Sequence, residues 1–127
     1  MTTGQRGDYV GNLKSNPEFA LIVYGSLKPG EANYHIVSDI PGEWIDGVIT
    51  GELGKWRHYL RFIPNSSNPQ KVPVKVLIST ALPDHWQRLD AFEGVAYERV
   101  LCDVETDNGI IRGYVYAKPA NETRDIN

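Results

Sequence analysis

The sequence predicts an α+β domain, a strongly curved sheet or small β-barrel with a few short helices. Three observations carry this. Six short segments rich in β-branched and aromatic residues alternate with turn residues. One stretch alone, 82–92, has a clear helical pattern. Glycines interrupt the longest β-rich segment, as bulges or tight curvature require. With 127 residues the chain fits one compact domain and can bury an adequate core without cross-links.

Residues 1–18 are polar and read as an N-terminal arm; they hold no apolar run of the signal-peptide kind. Phe19-Ala20-Leu21-Ile22-Val23-Tyr24 is continuously apolar and short, the pattern of a strand covered on both faces. It stops at Gly25-Ser26, and Lys28-Pro29-Gly30 reads as a turn. Residues 31–39 suit a short helix ended by Pro41-Gly42. A strand over 44–53 follows, broken by Gly47 and Gly51, then a strand over 56–63 and a Pro/Asn/Ser loop over 64–69. Residues 72–79 form another strand, with Pro73 near its start.

The helix over 82–92 begins with Pro83 and Asp84, which suit a first turn, and Gly94 supplies a C-terminal stop. Strands over 97–106 and 110–117 flank Asp107-Asn108-Gly109, a hairpin signal because Asn-Gly accepts positive φ at little cost. The domain therefore spans 19–119, and 120–127 is a polar tail.

A formal net charge of −3 gives no basic footprint for nucleic acid and no polybasic membrane patch. No apolar stretch reaches membrane-span length. The lone Cys102 cannot form an internal disulfide, which suits a reducing compartment, and a cytoplasmic location is expected. Cys102 alternates with Val100 and Val104, as a small side chain facing a core does.

The residue pattern singles out Glu93. Leu82, Trp86 and Leu89 lie on one helical stripe, and position 93 is the next on it. A carboxylate thus stands where the pattern calls for an apolar side chain. Held there, it loses hydration, its pKa rises toward neutrality, and it becomes suited to general acid–base work. The same pattern also fits a helix-end glutamate that turns to water, or one that pairs with Arg99. The loop Gly25-Ser26-Leu27 offers backbone amides just past a buried strand, a place where an anion or oxyanion can be held. It is no phosphate loop, since Glu31-Ala32 stands where Lys and Ser/Thr are needed. Ser26 lacks the glycine flanks of a hydrolase elbow and reads as a hydrogen-bonding loop residue. His35, His58 and His85 have no metal-ligand spacing, so no metal is expected. Tyr97, Tyr114 and Tyr116 suit either a pocket wall or cross-strand packing.

Three motifs in order resemble the γ-glutamylcyclotransferase-like family, which includes AIG2-like proteins. They are Tyr24-Gly25-Ser26-Leu27-Lys28-Pro29-Gly30 with Asn33, Leu89-Asp90-x-x-Glu93-Gly94 with Tyr97-x-Arg99, and Gly113-Tyr114-Val115-Tyr116. The resemblance implies a small mixed β-barrel with helices at its rim. It implies a cyclotransferase that releases 5-oxoproline from a γ-glutamyl amine or γ-glutamyl amino acid, with Glu93 as general acid/base and no cofactor. Tyr24, Gly25, Ser26 and Leu27 would line the pocket for the glutamyl end of this small-molecule substrate, with Tyr97 and Tyr116 also substrate-binding. A non-catalytic binding module that keeps the pocket is the alternative. Two stretches depart from the family pattern. Residues 55–64 replace a small Gly-Tyr-Pro-like stretch, and Val74-Lys75-Val76-Leu77 lacks a glycine often found there. Both leave the glutamyl-binding motif intact and bear on the leaving group.

Overall fold

A computed structural model describes residues 16–120. Most of the predicted arm and tail, 1–15 and 121–127, lies outside them. Six strands form one sheet: β1 (Ala20–Val23), β2 (Glu43–Trp56), β3 (Tyr59–Ile63), β4 (Gln70–Ile78), β5 (Glu98–Thr106) and β6 (Gly109–Ala117). β1 pairs antiparallel with β4, β4 with β2, β2 with β5, and β5 with β6. A parallel β6–β1 pairing closes the ring and makes the barrel mixed, as the sequence motifs implied. β3 is the additional strand: it pairs with the far end of β2 and meets β6 at Phe62–Ala117.

Strand alternation sorts β1 onto two cores. Ala20 and Ile22 face the barrel interior with Ile49, Phe62, Val76 and Val115, while Leu21 and Val23 face outward. There they meet Leu27, Val37, Leu82, Trp86 and Leu89 in a second cluster beneath the helix. All four residues of β1 are buried, which is why its sequence shows no polar alternation. Half-buried Cys102 packs against the interior cluster, and burial pushes its thiol up to about 11.

Gly47 and Gly51 mark where β2 passes close to neighbouring side chains. A Cβ at Gly47 would collide with Val104 Cγ1, and one at Gly51 would stand 2.5 Å from the Phe62 ring. These close approaches let β2 run for 14 residues and pass from β4 to β3 as partner.

Three local expectations change. The helix expected over 31–39 is only a single 3-10 turn, Tyr34–Ile36. Asn33 commits its amide to the Ser26 carbonyl (2.8 Å), so the segment is spent on successive turns. The helix over 82–92 divides into a 3-10 turn, Leu82–Asp84, and α1 (Trp86–Glu93), joined at His85. The strand over 56–63 starts later, because Trp56 ends β2 and Arg57 takes φ 60 in the turn to β3. In the β5–β6 hairpin, Gly109 alone takes positive φ (110), and Thr106 Oγ1 bonds both the Asn108 amide and the Gly109 carbonyl.

Candidate active site

The stripe on α1 explains the position of Glu93. Leu82, Trp86 and Leu89 are buried against the outer face of the barrel, and Glu93 follows them as the last helical residue. Gly94, at φ 69, ends the helix directly after it. Arg99 does not pair with Glu93. Its guanidinium makes two hydrogen bonds to Asp90 (2.8 and 3.2 Å) and lies over the edge-on pair Trp86 and Tyr114, 4.5 and 4.7 Å from their ring centres. Among the described residues, no hydrogen bond or ion pair engages the Glu93 carboxylate. Burial without a compensating partner pushes its pKa up from 4.5 to about 7.

Asp90 has the opposite environment three residues earlier. Burial favours its neutral form, but hydrogen bonds from Arg99 and Tyr116 outweigh this and hold the carboxyl below its usual range. Two carboxylates on adjacent turns thus differ in protonation behaviour because only one has donors.

The loop after β1 is tied down by its own side chains. Tyr24 donates its hydroxyl hydrogen to the Tyr116 carbonyl (2.7 Å) and accepts from the Phe62 amide (3.0 Å). Its phenol is therefore part of the barrel wall, and burial pushes its pKa upward. Ser26 Oγ accepts from Asn33 Nδ2 (2.8 Å), and the Ser26 carbonyl accepts from the Asn33 amide. This latch explains why an asparagine follows the loop. Leu27 anchors the loop from below by entering the outer core. The amides of Gly25, Ser26 and Leu27 bond no acceptor among the described residues.

One cavity of about 320 Å³ brings together Tyr24, Gly25, Ser26, Leu27, Glu93, Tyr97 and Tyr116, the seven residues that the family resemblance assigns to the site. Its size suits a small molecule. Tyr116 donates to Asp90 Oδ1 (2.7 Å) and Tyr97 to the Leu60 carbonyl (2.9 Å). Burial pushes both phenols upward, helped next by the negative charge of Glu93 at Tyr97 and by the hydrogen bond to Asp90 at Tyr116, so they remain protonated near neutral pH. Tyr114 lies away from the cavity lining, under Arg99.

The cavity has a further wall, from the 55–64 stretch that departs from the family pattern. His58, in the turn between β2 and β3, and Tyr59 and Leu60, which open β3, line it, as do Glu31 and Ala32 of the loop after β1. No glycine or asparagine marks that turn, since Arg57 takes the positive φ, so its tip resembled mid-strand sequence. Ser26 Oγ bonds Asn33 and, among the described residues, no base that would activate it as a nucleophile. Among the described residues no group of three or more His, Cys, Asp or Glu can hold a metal, and no helix is long and apolar enough to cross a membrane. What the cavity offers is a desolvated carboxylate together with a loop whose amides have no acceptor among the described residues.

Comparison with known proteins matches residues 21–127 to the family described as gamma-glutamyl cyclotransferase, AIG2-like. The crystal structure of YkqA from Bacillus subtilis superposes with TM-score 0.63 at 25% identity, over 78% of this chain and 35% of YkqA. The chain thus spans about a third of that protein. A solution structure from Arabidopsis thaliana (At5g39720.1) gives TM-score 0.59 at 22% identity, covering 85% of this chain and 73% of its own. An AIG2-like protein (ggact) from Mus musculus gives 0.57 at 19% identity, over 83% and 79%. These likenesses show the fold. No curated protein matches significantly.

Proposed function

We propose, from the premise that this chain belongs to the gamma-glutamyl cyclotransferase, AIG2-like family, that it releases 5-oxoproline from a γ-glutamyl amine or γ-glutamyl amino acid. The observation that carries this reading is a half-buried Glu93, without a partner among the described residues, in one cavity with the Gly25–Leu27 loop.

The chemistry follows from what such a substrate needs. Its α-amine attacks its own γ-carbonyl carbon, a C–N bond closes the five-membered ring, and the bond to the departing nitrogen breaks. The attacking amine must lose a proton and the departing nitrogen must gain one. Glu93, with a pKa of about 7, is matched to both transfers at neutral pH: it takes the proton first and returns it second. The amides of Gly25, Ser26 and Leu27 supply fixed donors for the substrate's carboxylate or the developing oxyanion. Tyr24, Tyr97 and Tyr116 wall the glutamyl end with rings whose hydroxyls are already held. Bending the substrate so that its two ends meet supplies much of the rate for an intramolecular closure. No step calls on a cofactor.

The reading is tested by incubating the full chain with a panel of γ-glutamyl amines and γ-glutamyl amino acids and measuring 5-oxoproline by mass spectrometry. Release from at least one class is expected. Thermal stabilisation by these compounds without any product would instead identify a binding protein.

A further inference from the structure

Resting on the cyclotransferase reading, we propose that the departing amine carries an apolar or aromatic group, and that Tyr59 and Leu60 select it. With the glutamyl end against the Gly25–Leu27 loop and the reacting bond at Glu93, the wall left for the departing amine is the β2–β3 hairpin tip. That wall is tied to the Glu93 end of α1. Tyr97 donates to the Leu60 carbonyl (2.9 Å), and Arg61 donates to the Ala96 carbonyl (3.0 Å).

Tyr59 and Leu60 line the cavity yet remain 55% and 41% exposed. Both residues therefore keep water contact where they line it, and a ligand group covering their apolar surface gains the transfer energy of that surface. The arginines of the same hairpin do not line the cavity, although His58 does. The guanidiniums of Arg57 and Arg61 each lie 4.7 Å from the ring centre of Trp56. The aromatic and aliphatic part of the hairpin thus meets the substrate, and its Arg side chains gather on Trp56.

The test compares kcat/KM for γ-glutamyl phenethylamide and γ-glutamyl methylamide, read as 5-oxoproline release by the full chain. The phenethylamide is expected to be favoured roughly tenfold or more, the scale of an added apolar group in a fitting pocket. The Tyr59→Ser/Leu60→Ser variant, or Tyr59→Ser alone, is expected to bring the ratio within about threefold through KM, and Tyr59→Phe to preserve it. The ratio does not depend on how much of a variant folds. Equal use of the two amides by the unaltered chain overturns the proposal, as does a preference that survives the serine substitutions. Release of 5-oxoproline from neither amide overturns the proposal, and the cyclotransferase reading falls with it only when the panel of γ-glutamyl amines and γ-glutamyl amino acids also yields none.

Discussion

Replacing Glu93 by glutamine separates the electrostatics of the cavity from its catalysis, because stability can be measured without any substrate. Glu93 ends the stripe that buries Leu82, Trp86 and Leu89, and burial lifts its carboxyl to about 7. In the unfolded chain it titrates near its ordinary value of 4.5. A group whose folded pKa is raised contributes stability that is fully present below the unfolded value and is lost as pH rises through the folded one. The whole difference corresponds to about 3 kcal/mol, and the partial solvent contact of Glu93 reduces the expected value to about 2 kcal/mol. Glutamine has the same shape and does not titrate. Glu93→Gln is therefore expected to match the unaltered chain within about 0.5 kcal/mol at pH 4.5, and to exceed it by about 2 kcal/mol at pH 8.5. Urea unfolding at the two pH values measures this directly, and at pH 8.5 the melting temperature should rise by roughly 6–8 °C. Equal effects at both pH values would refute a desolvated, unpaired carboxylate at this position.

The same carboxyl sets the pH dependence of turnover. As a base it must be ionised, so kcat/KM is expected to fall about tenfold per unit below about pH 7, and a flat profile from pH 5 to 8 contradicts this. Asp90→Asn leaves the Arg99 charge unmatched and removes a nearby negative charge, both of which favour ionised Glu93. The acid limb is then expected to move down by roughly half a pH unit or more, and an unmoved limb counts against the assignment. Tyr24→Phe orphans the Phe62 amide and the Tyr116 carbonyl inside the wall. It should cost about 1–3 kcal/mol in urea unfolding, and a cost below about 0.5 kcal/mol would show that the phenol is not structural.

What could be read from the sequence followed periodicity and the turn residues that carry a steric signature. β1 was legible because its four residues are buried on both faces, and the end of α1 was legible because Gly94 takes positive φ. The 3.6-residue repeat placed Glu93 on an apolar stripe, although His85 divides the segment into two helical pieces. The repeat could not say that Arg99 engages Asp90 instead, since residues nine apart met only through the packing of β5 against the helix. The 31–39 segment misled because helical propensity there competes with the Asn33–Ser26 latch, a contact across seven residues. The hairpin tip at His58–Leu60 was hidden because Arg57 holds its positive φ without glycine. That turn supplies the wall that bears on the departing amine.

The most direct measurement of the central claim is 5-oxoproline release by the unaltered chain and by Glu93→Gln, at pH 8, on whichever γ-glutamyl substrate turns over fastest. If Glu93 moves the proton from the attacking amine to the departing nitrogen, the glutamine variant loses about a hundredfold to ten-thousandfold in kcat. It should still be stabilised by 5-oxoproline in thermal melts, because the Gly25–Leu27 loop is unchanged. A glutamine variant that retains turnover within about threefold would contradict the account.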